Sequence, residues 1–223
     1  MKTLGVFDPQ NKINLDDISL LTIVIESIKK LCDVERHIRM EFYSEPHFFY
    51  KNDEKSEEIE DVSCVINDIF TLDYNSKRNI NALFKIIRKT YVNDLSSYLE
   101  DVKGKIKTLI NTINMNFELS LTSSDEIKIE DLFKLVDLKI EDKEENRVQR
   151  LINYLKTINE LTGKTLFFIF RMHDYFDNYE IDIILKEVAY KNIKIINIEH
   201  INSFKKCNDE QIIIYDNDLC LLI

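Results

Sequence analysis

Along this chain the spacing of apolar positions changes period several times, and each change predicts an element. Residues 4–7 and 12–15 read as two short strands. Asp16 or Asp17 then caps a predicted helix in which Leu20, Ile23, Val24, Ile28 and Leu31 recur at helical spacing. Glu41-Phe42-Tyr43 and Phe48-Phe49-Tyr50 are aromatic and strand-like around a turn at Pro46, and an acidic surface loop follows over 52–61. Residues 62–66 form a buried strand pattern, and Tyr74-Asn75-Ser76 is a helix-start signal.

From there the period is helical. Ile80, Leu83, Phe84, Ile87 and Tyr91 share one face. Leu95, Leu99, Val102, Ile106, Leu109 and Ile113 continue at four-three spacing, close to a coiled-coil seam. A shorter helix holds Ile129, Leu132, Phe133 and Val136. Together these predict a protruding helical lobe whose seam packs within the chain or against another subunit.

Beyond it, Val148, Leu151, Ile152, Leu155 and Ile158 mark another helix. Residues 165–170 and 193–198 are continuous apolar runs flanking an amphipathic helix over 178–190. Such a strand–helix–strand unit predicts two parallel strands of a sheet covered on both faces. Residues 211–215 and 219–223 close the chain as a hairpin across Asp216-Asn217-Asp218. The fold class expected is α/β, with one mixed sheet in a head built from 1–74 and 142–223 and an inserted α-helical leg over 75–141.

Composition supports a folded protein. The hydrophobic fraction is 44%, and three glycines with two prolines leave no room for long flexible linkers. Cys32, Cys64, Cys207 and Cys220 are scattered without a CxxC pair, so reduced thiols are expected. The opening residues lack an apolar signal segment and no apolar run is long enough to span a bilayer, so a cytoplasmic protein without membrane contact is expected. The net charge of −10 opposes nonspecific nucleic-acid binding unless the charges are segregated, and they are. Eight basic residues between Lys77 and Lys107, among them Lys85, Arg88, Lys89, Lys103, Lys105 and Lys107, face only Asp94, Glu100 and Asp101 in the same stretch. That stretch reads either as a solvated helix face or as a phosphate-contacting surface.

Thr162-Gly163-Lys164-Thr165 ends like a phosphate-binding loop, but Ile158 stands where that loop needs glycine, and the motif precedes a strand instead of following one. Gly163 therefore reads as a helix C-cap, and no nucleotide is expected. Asp68, Asp73, Asp174 and Asp177 follow predicted strands, where a metal-dependent nuclease would place carboxylates, although turn and cap roles account for them too. His37, His47, His173 and His200 lie apart from one another and from the cysteines, so solvated or hydrogen-bonded roles are expected. Glu118, Asp125, Glu126, Glu130 and Asp131 make an oxygen-rich stretch of the kind that holds calcium, or that complements a helix dipole.

The order of several short motifs resembles a known family. They are Lys12-Ile13-Asn14-Leu15, Val65-Ile66-Asn67-Asp68-Ile69 and Asp73-Tyr74-Asn75. Next come Glu130-Asp131-Leu132-Phe133-Lys134-Leu135 and Leu138-Lys139-Ile140-Glu141. The tail adds Phe168-Ile169-Phe170, Tyr175-Phe176, Glu180-Ile181, Ile184-Leu185 and Ile195-Ile196-Asn197-Ile198-Glu199. Together they span nearly the whole chain, which resembles the short form of the type II-A CRISPR-associated adaptation protein. That resemblance implies a homotetrameric ring with an α/β head, distantly like P-loop ATPases without their active site, and a helical leg. It implies binding of double-stranded DNA ends in a positively lined hole and calcium steadying the legs. It also implies work alongside CRISPR integrase proteins and an RNA-guided effector nuclease in spacer acquisition, with no catalytic activity of its own. The basic residues of the leg would then be the DNA contacts and the oxygen-rich stretch the metal ligands, although Ser120, Thr122, Ser123 and Ser124 stand where more carboxylate is implied. A divergent nucleotide hydrolase or nuclease, and a protein-only scaffold, are the competing readings.

Overall fold

The computed structural model describes residues 1–40, 47–53, 55–116, 118–122, 124, 126–142, 146–201 and 204–222, with the backbone alone at 92–94. The expected strand over 41–43 lies outside these residues. The chain divides into two compact units, one formed by Met1–Tyr74 with Lys143–Ile223 and the other by Asn75–Asp142. The fold is mixed α/β.

The first unit contains β1 (Lys2–Val6), β2 (Asp8–Asn14), β3 (Leu20–Ile25), α1 (Ile28–Arg39), β4 (Phe48–Asn52), β5 (Lys55–Glu57), α2 (Ile59–Val62) and β6 (Ser63–Ile66). The second unit follows with α3 (Lys77–Thr90), α4 (Val92–Met115) and α5 (Ile129–Leu135). The chain then returns to the first unit with α6 (Arg147–Thr162), β7 (Leu166–Phe170), α7 (Met172–Tyr175), α8 (Asn178–Ala189), β8 (Lys194–Glu199), β9 (Glu210–Tyr215) and β10 (Leu221–Leu222).

Two sheets, not one, are present among the described residues. An antiparallel sheet runs β2-β1-β4-β5, and a six-stranded sheet runs β10-β9-β3-β8-β7-β6. In the larger sheet β9, β3, β8, β7 and β6 are parallel neighbours and β10 returns antiparallel along β9. The predicted parallel pair is β7 and β8, with Phe168 opposite Ile196. Strands β3, β7 and β8 are buried along their whole length, as a parallel sheet covered on both faces requires.

The expected helix through Leu20–Ile25 is instead the central strand β3, between β8 and β9. The run Leu-Leu-Thr-Ile-Val-Ile contains helical spacings only because every position but one is apolar, so period could not separate the two forms. β-branched residues and sheet neighbours on both sides decide for a strand. Helix α1 begins only after Ser27. The stretch expected as an acidic loop also carries β5 and α2, because Lys55–Glu57 pairs with β4.

Both sheets feed one core. Leu4, Val6, Phe48 and Tyr50 from the small sheet pack with Leu21, Ile23, Phe168, Ile196 and Tyr215 from the large one. Phe48 meets Phe168 edge-on at 5.1 Å, and the Tyr215 hydroxyl donates to the Val6 carbonyl at 3.2 Å. Gly5 permits the tight β1–β2 connection, since a Cβ there would sit 2.9 Å from the Asp8 carbonyl oxygen. Helix α6 buries Leu151, Ile152, Leu155 and Ile158, and Asn146 caps its start by accepting from the Gln149 N–H. It packs on α8, with the Arg147 guanidinium on the Glu180 carboxylate at 2.7 Å and Lys156 on Glu187 at 2.7 Å. Among the described residues no helix is long and apolar enough to cross a membrane.

In the helical unit, Ser76 caps α3 by accepting from the Asn79 N–H. Phe84 is buried against Phe133 of α5 at 5.3 Å. The Asn75 side chain closes the unit by bonding both the N–H and the carbonyl of Ile140, at 2.8 and 3.0 Å. On α4 the half-buried stripe runs Leu95, Leu99, Val102, Ile106 and Ile110, whereas Leu109 is 60% and Ile113 40% exposed. The expected seam therefore holds through Ile106 and then drifts by one residue. A straight helix of 3.6 residues per turn outruns a 3.5-residue repeat in this direction.

Candidate functional site

The six basic residues singled out from the sequence fall on two helices. On α3, Lys85, Arg88 and Lys89 stand at i, i+3 and i+4 and share a face. All three are exposed, and Arg88 reaches the Glu130 carboxylate at 3.3 Å. On α4, Lys103 is half-buried and donates to Glu100 at 2.8 Å. Lys103 and Lys107 share a face, while Lys105, two residues from each, lies round the helix from both. Among the described residues Lys85, Lys89 and Lys105 have no carboxylate partner. These solvated ammonium groups, two on α3 and one on α4 beside Glu100 and Asp101, are each open to a phosphate.

The oxygen-rich stretch is arranged differently from a cation cage. Glu118 and Glu126 are exposed, and Asp125 lies outside the described residues. Glu130 is engaged by Arg88. Asp131 accepts from the Lys128 N–H at 3.1 Å at the start of α5 and pairs with Lys134 at 3.6 Å. As placed, the described carboxylates of this stretch do not converge on one point, so they do not fit calcium without rearrangement.

The Gly-Lys-Thr segment is architectural. Gly163 has φ 73° and caps α6, as its place after a helix implies. The Lys164 ammonium is buried and donates to the backbone carbonyls of Glu60 and Ser63, tying the start of β6 to the end of α6. The connection from β3 into α1, where an α/β phosphate site would open, is Glu26-Ser27 and holds no glycine. The cleft beside it is lined by apolar Ile28, Leu31 and Ile198 and by Glu35, Arg171, Glu199 and His200, and its one arginine is already paired with Glu35 at 3.8 Å. Asp68 accepts from the Phe70 N–H and the Thr71 hydroxyl, and Asp177 caps α8 through a reciprocal bond with Glu180, so both serve local turns. Asp73 and Asp174 are exposed.

A buried polar network in the first unit was not anticipated. Glu210, at the start of β9, accepts from the Thr22 hydroxyl of β3 and lies 2.9 Å from the His173 ring nitrogen of α7. Its other oxygen accepts from the Cys207 N–H at 2.8 Å. Asn197 of β8 accepts from the Met172 N–H at 3.0 Å and donates to Glu199 and to Thr22. Glu199 also accepts from the His173 N–H, and the His173 ring stacks on Phe204 at 3.8 Å. Burial pushes Glu210 up, but hydrogen bonds from His173 and Thr22 outweigh it and hold its carboxyl below the ordinary range. Burial raises Glu199 despite the bond from Asn197, and burial together with the Glu210 charge lifts the Cys207 thiol to about 12.

The histidines are thus less isolated than their sequence spacing implied. His173 stands beside Cys207, and the rings of His37 and His47 are 5.0 Å apart. The signal for the network lay in Thr22, the one polar residue of β3, and Asn197, set within the apolar run of β8. Buried polar groups must find partners, and these two are paired across neighbouring strands.

Residues 42–219 match the family model described as CRISPR-associated protein (Cas_Csn2). No curated protein matches the chain. The matched stretch takes in the whole helical unit and four strands of the six-stranded sheet, β6 through β9, but neither β3 nor β10, so its weight rests on β6 through β9 and the helices between them. With well over half of its length matched, the chain belongs to the Cas_Csn2 family of CRISPR-associated proteins.

Proposed function

We propose that this chain is a non-catalytic ring subunit that holds double-stranded DNA ends during CRISPR spacer acquisition in the cytoplasm. The observation that carries the reading is family membership over residues 42–219, joined to the solvated Lys85, Lys89 and Lys105 on an otherwise acidic chain. The exposed end of the α4 seam, Leu109 and Ile113, offers apolar surface that further copies in a homotetramer would cover. Phosphate contacts by lysine and arginine supply affinity without reading bases, which suits a protein that must accept any sequence. Integrase proteins and the RNA-guided effector nuclease are the partners in this reading. Calcium belongs to it as a ligand of Glu118, Asp125, Glu126, Glu130 and Asp131, on condition that Glu130 and Asp131 leave Arg88 and Lys134.

The test is a fluorescence titration of linear and covalently closed duplexes over a salt series, with charge-reversed Lys85, Lys89 and Lys105. Each lost phosphate contact should lower the salt slope by about one unit and weaken all sequences alike. Equal binding of closed circles removes the threaded ring, and unchanged slopes move the contact surface elsewhere. Turnover of nucleotide or DNA that disappears on Asp68→Ala or Asp174→Ala would replace the reading with a catalytic one.

A further inference from the structure

We infer that His173, Cys207 and Glu210 form a binding site for a transition-metal ion of the zinc class, placed to fasten the segment before β9 to α7. One ligand atom from each residue lies within 4.8 Å of the other two. Cys207 and Glu210 are buried, and the His173 side chain is only 4% exposed. A sulfur, an imidazole nitrogen and a carboxylate oxygen together suit zinc, whereas a hard cation such as calcium requires oxygen throughout.

The surrounding bonds hold these donors in place. Thr22 and the Cys207 N–H fix the two oxygens of Glu210, while Glu199 holds the His173 backbone and Phe204 holds its ring. Such supporting contacts are what orient ligands at established metal sites. Tetrahedral zinc with ordinary bond lengths needs nitrogen and oxygen about 3.4 Å apart and sulfur about 3.6 Å from each. The His173 nitrogen and Glu210 oxygen stand at 2.9 Å, so the pair opens slightly, and the thiol, within 4.8 Å of both, closes by at most about 1 Å. On binding, zinc takes the place of the proton between His173 and Glu210, the Cys207 thiol proton leaves to solvent, and water completes the fourth position. The residues come from α7 and from the approach to β9, which are joined through the sheet by Thr22 of β3. The ion would therefore tie β9 and the segment before it to α7 without any disulfide.

The test uses the full chain, stripped with chelator, loaded with zinc chloride and desalted. About one zinc per chain should remain, and Cys207→Ser or His173→Gln should reduce it to background, while Cys32→Ser and Cys220→Ser retain it. Glu210→Gln keeps one oxygen but turns the other from an acceptor into an NH2 donor facing the Cys207 N–H or the Thr22 hydroxyl, and as a weaker ligand should lower zinc affinity at least about tenfold. Cobalt loading should produce visible tetrahedral bands with a thiolate-to-cobalt transition that Cys207→Ser abolishes. That spectrum, recorded on the unaltered chain, decides the matter if a variant fails to fold. No retained zinc, cobalt bands without a thiolate transition, or zinc content unchanged in Cys207→Ser would each overturn the site. None of these outcomes bears on DNA binding by the helical unit, so the two readings fail independently.

Discussion

Replacing Lys164 with methionine separates an architectural lysine from a phosphate-binding one. The substitution keeps the aliphatic stem, which is buried, and removes the ammonium that donates to the carbonyls of Glu60 and Ser63. A hydrogen bond from a charged donor contributes about 1.5–3 kcal/mol, and two are lost together with the satisfaction of two carbonyls. Removing a buried charge returns part of that, because the ammonium no longer has to be stripped of water. A net loss of about 3 kcal/mol is expected, which for a chain of this length corresponds to a melting point about 6–12 °C lower. Thermal unfolding followed by circular dichroism measures it, with nucleotide present or absent. An unchanged melting point in Lys164→Met would refute the tie between α6 and β6. A nucleotide-dependent rise in the parent that vanishes in the variant would refute the architectural reading altogether. At a hundredfold excess over Kd such a ligand adds about 2.7 kcal/mol and would be plain in the melt.

Two further outcomes follow from burial and helix geometry. His37 is buried beside His47, and burial first, then the neighbouring ring, lowers its pKa from 6.5 to about 4. Below pH 6.5 the unfolded chain binds a proton that the folded chain refuses, so stability should fall by up to about 3 kcal/mol between pH 6.5 and 4 and level off below. Urea titrations across that window should show a shallower decline in His37→Gln; matching declines would exclude this histidine as the cause. In the middle of α4, a Cβ added at Gly104 meets nothing within 4 Å. Gly104→Ala should therefore stabilise the helix by about 0.5–1 kcal/mol, and a lower melting point would show that this surface is covered in the assembled protein.

The sequence by itself determined the elements whose signal is local. Ser76, Asn146 and Asp177 mark helix starts because a side-chain oxygen satisfies N–H groups that the first turn leaves open. Gly163 ends α6 because the left-handed conformation there favours a residue without Cβ. The pairing of β7 with β8 was legible because a short apolar run, an amphipathic helix and a second apolar run can close in few ways. The family resemblance was legible in the same way, as an order of short motifs, although none of them is a catalytic fingerprint.

What only the tertiary structure decided depended on partners far apart along the chain. Leu20–Ile25 became the central strand because β8 and β9, nearly two hundred residues on, supply hydrogen bonds to both its edges. The N-terminal strands went to a separate sheet because β1 pairs with β2 and β4 and has no neighbour in the larger one. Arg88 and Asp131 looked like ligands for outside partners, yet each has an ion-pair partner in its own unit, Glu130 and Lys134 respectively. His173, Cys207 and Glu210 looked unrelated because sequence distance hides contacts made across a folded sheet. Local chemistry is written in neighbouring residues, whereas a buried cluster exists only once strand order has brought its members together.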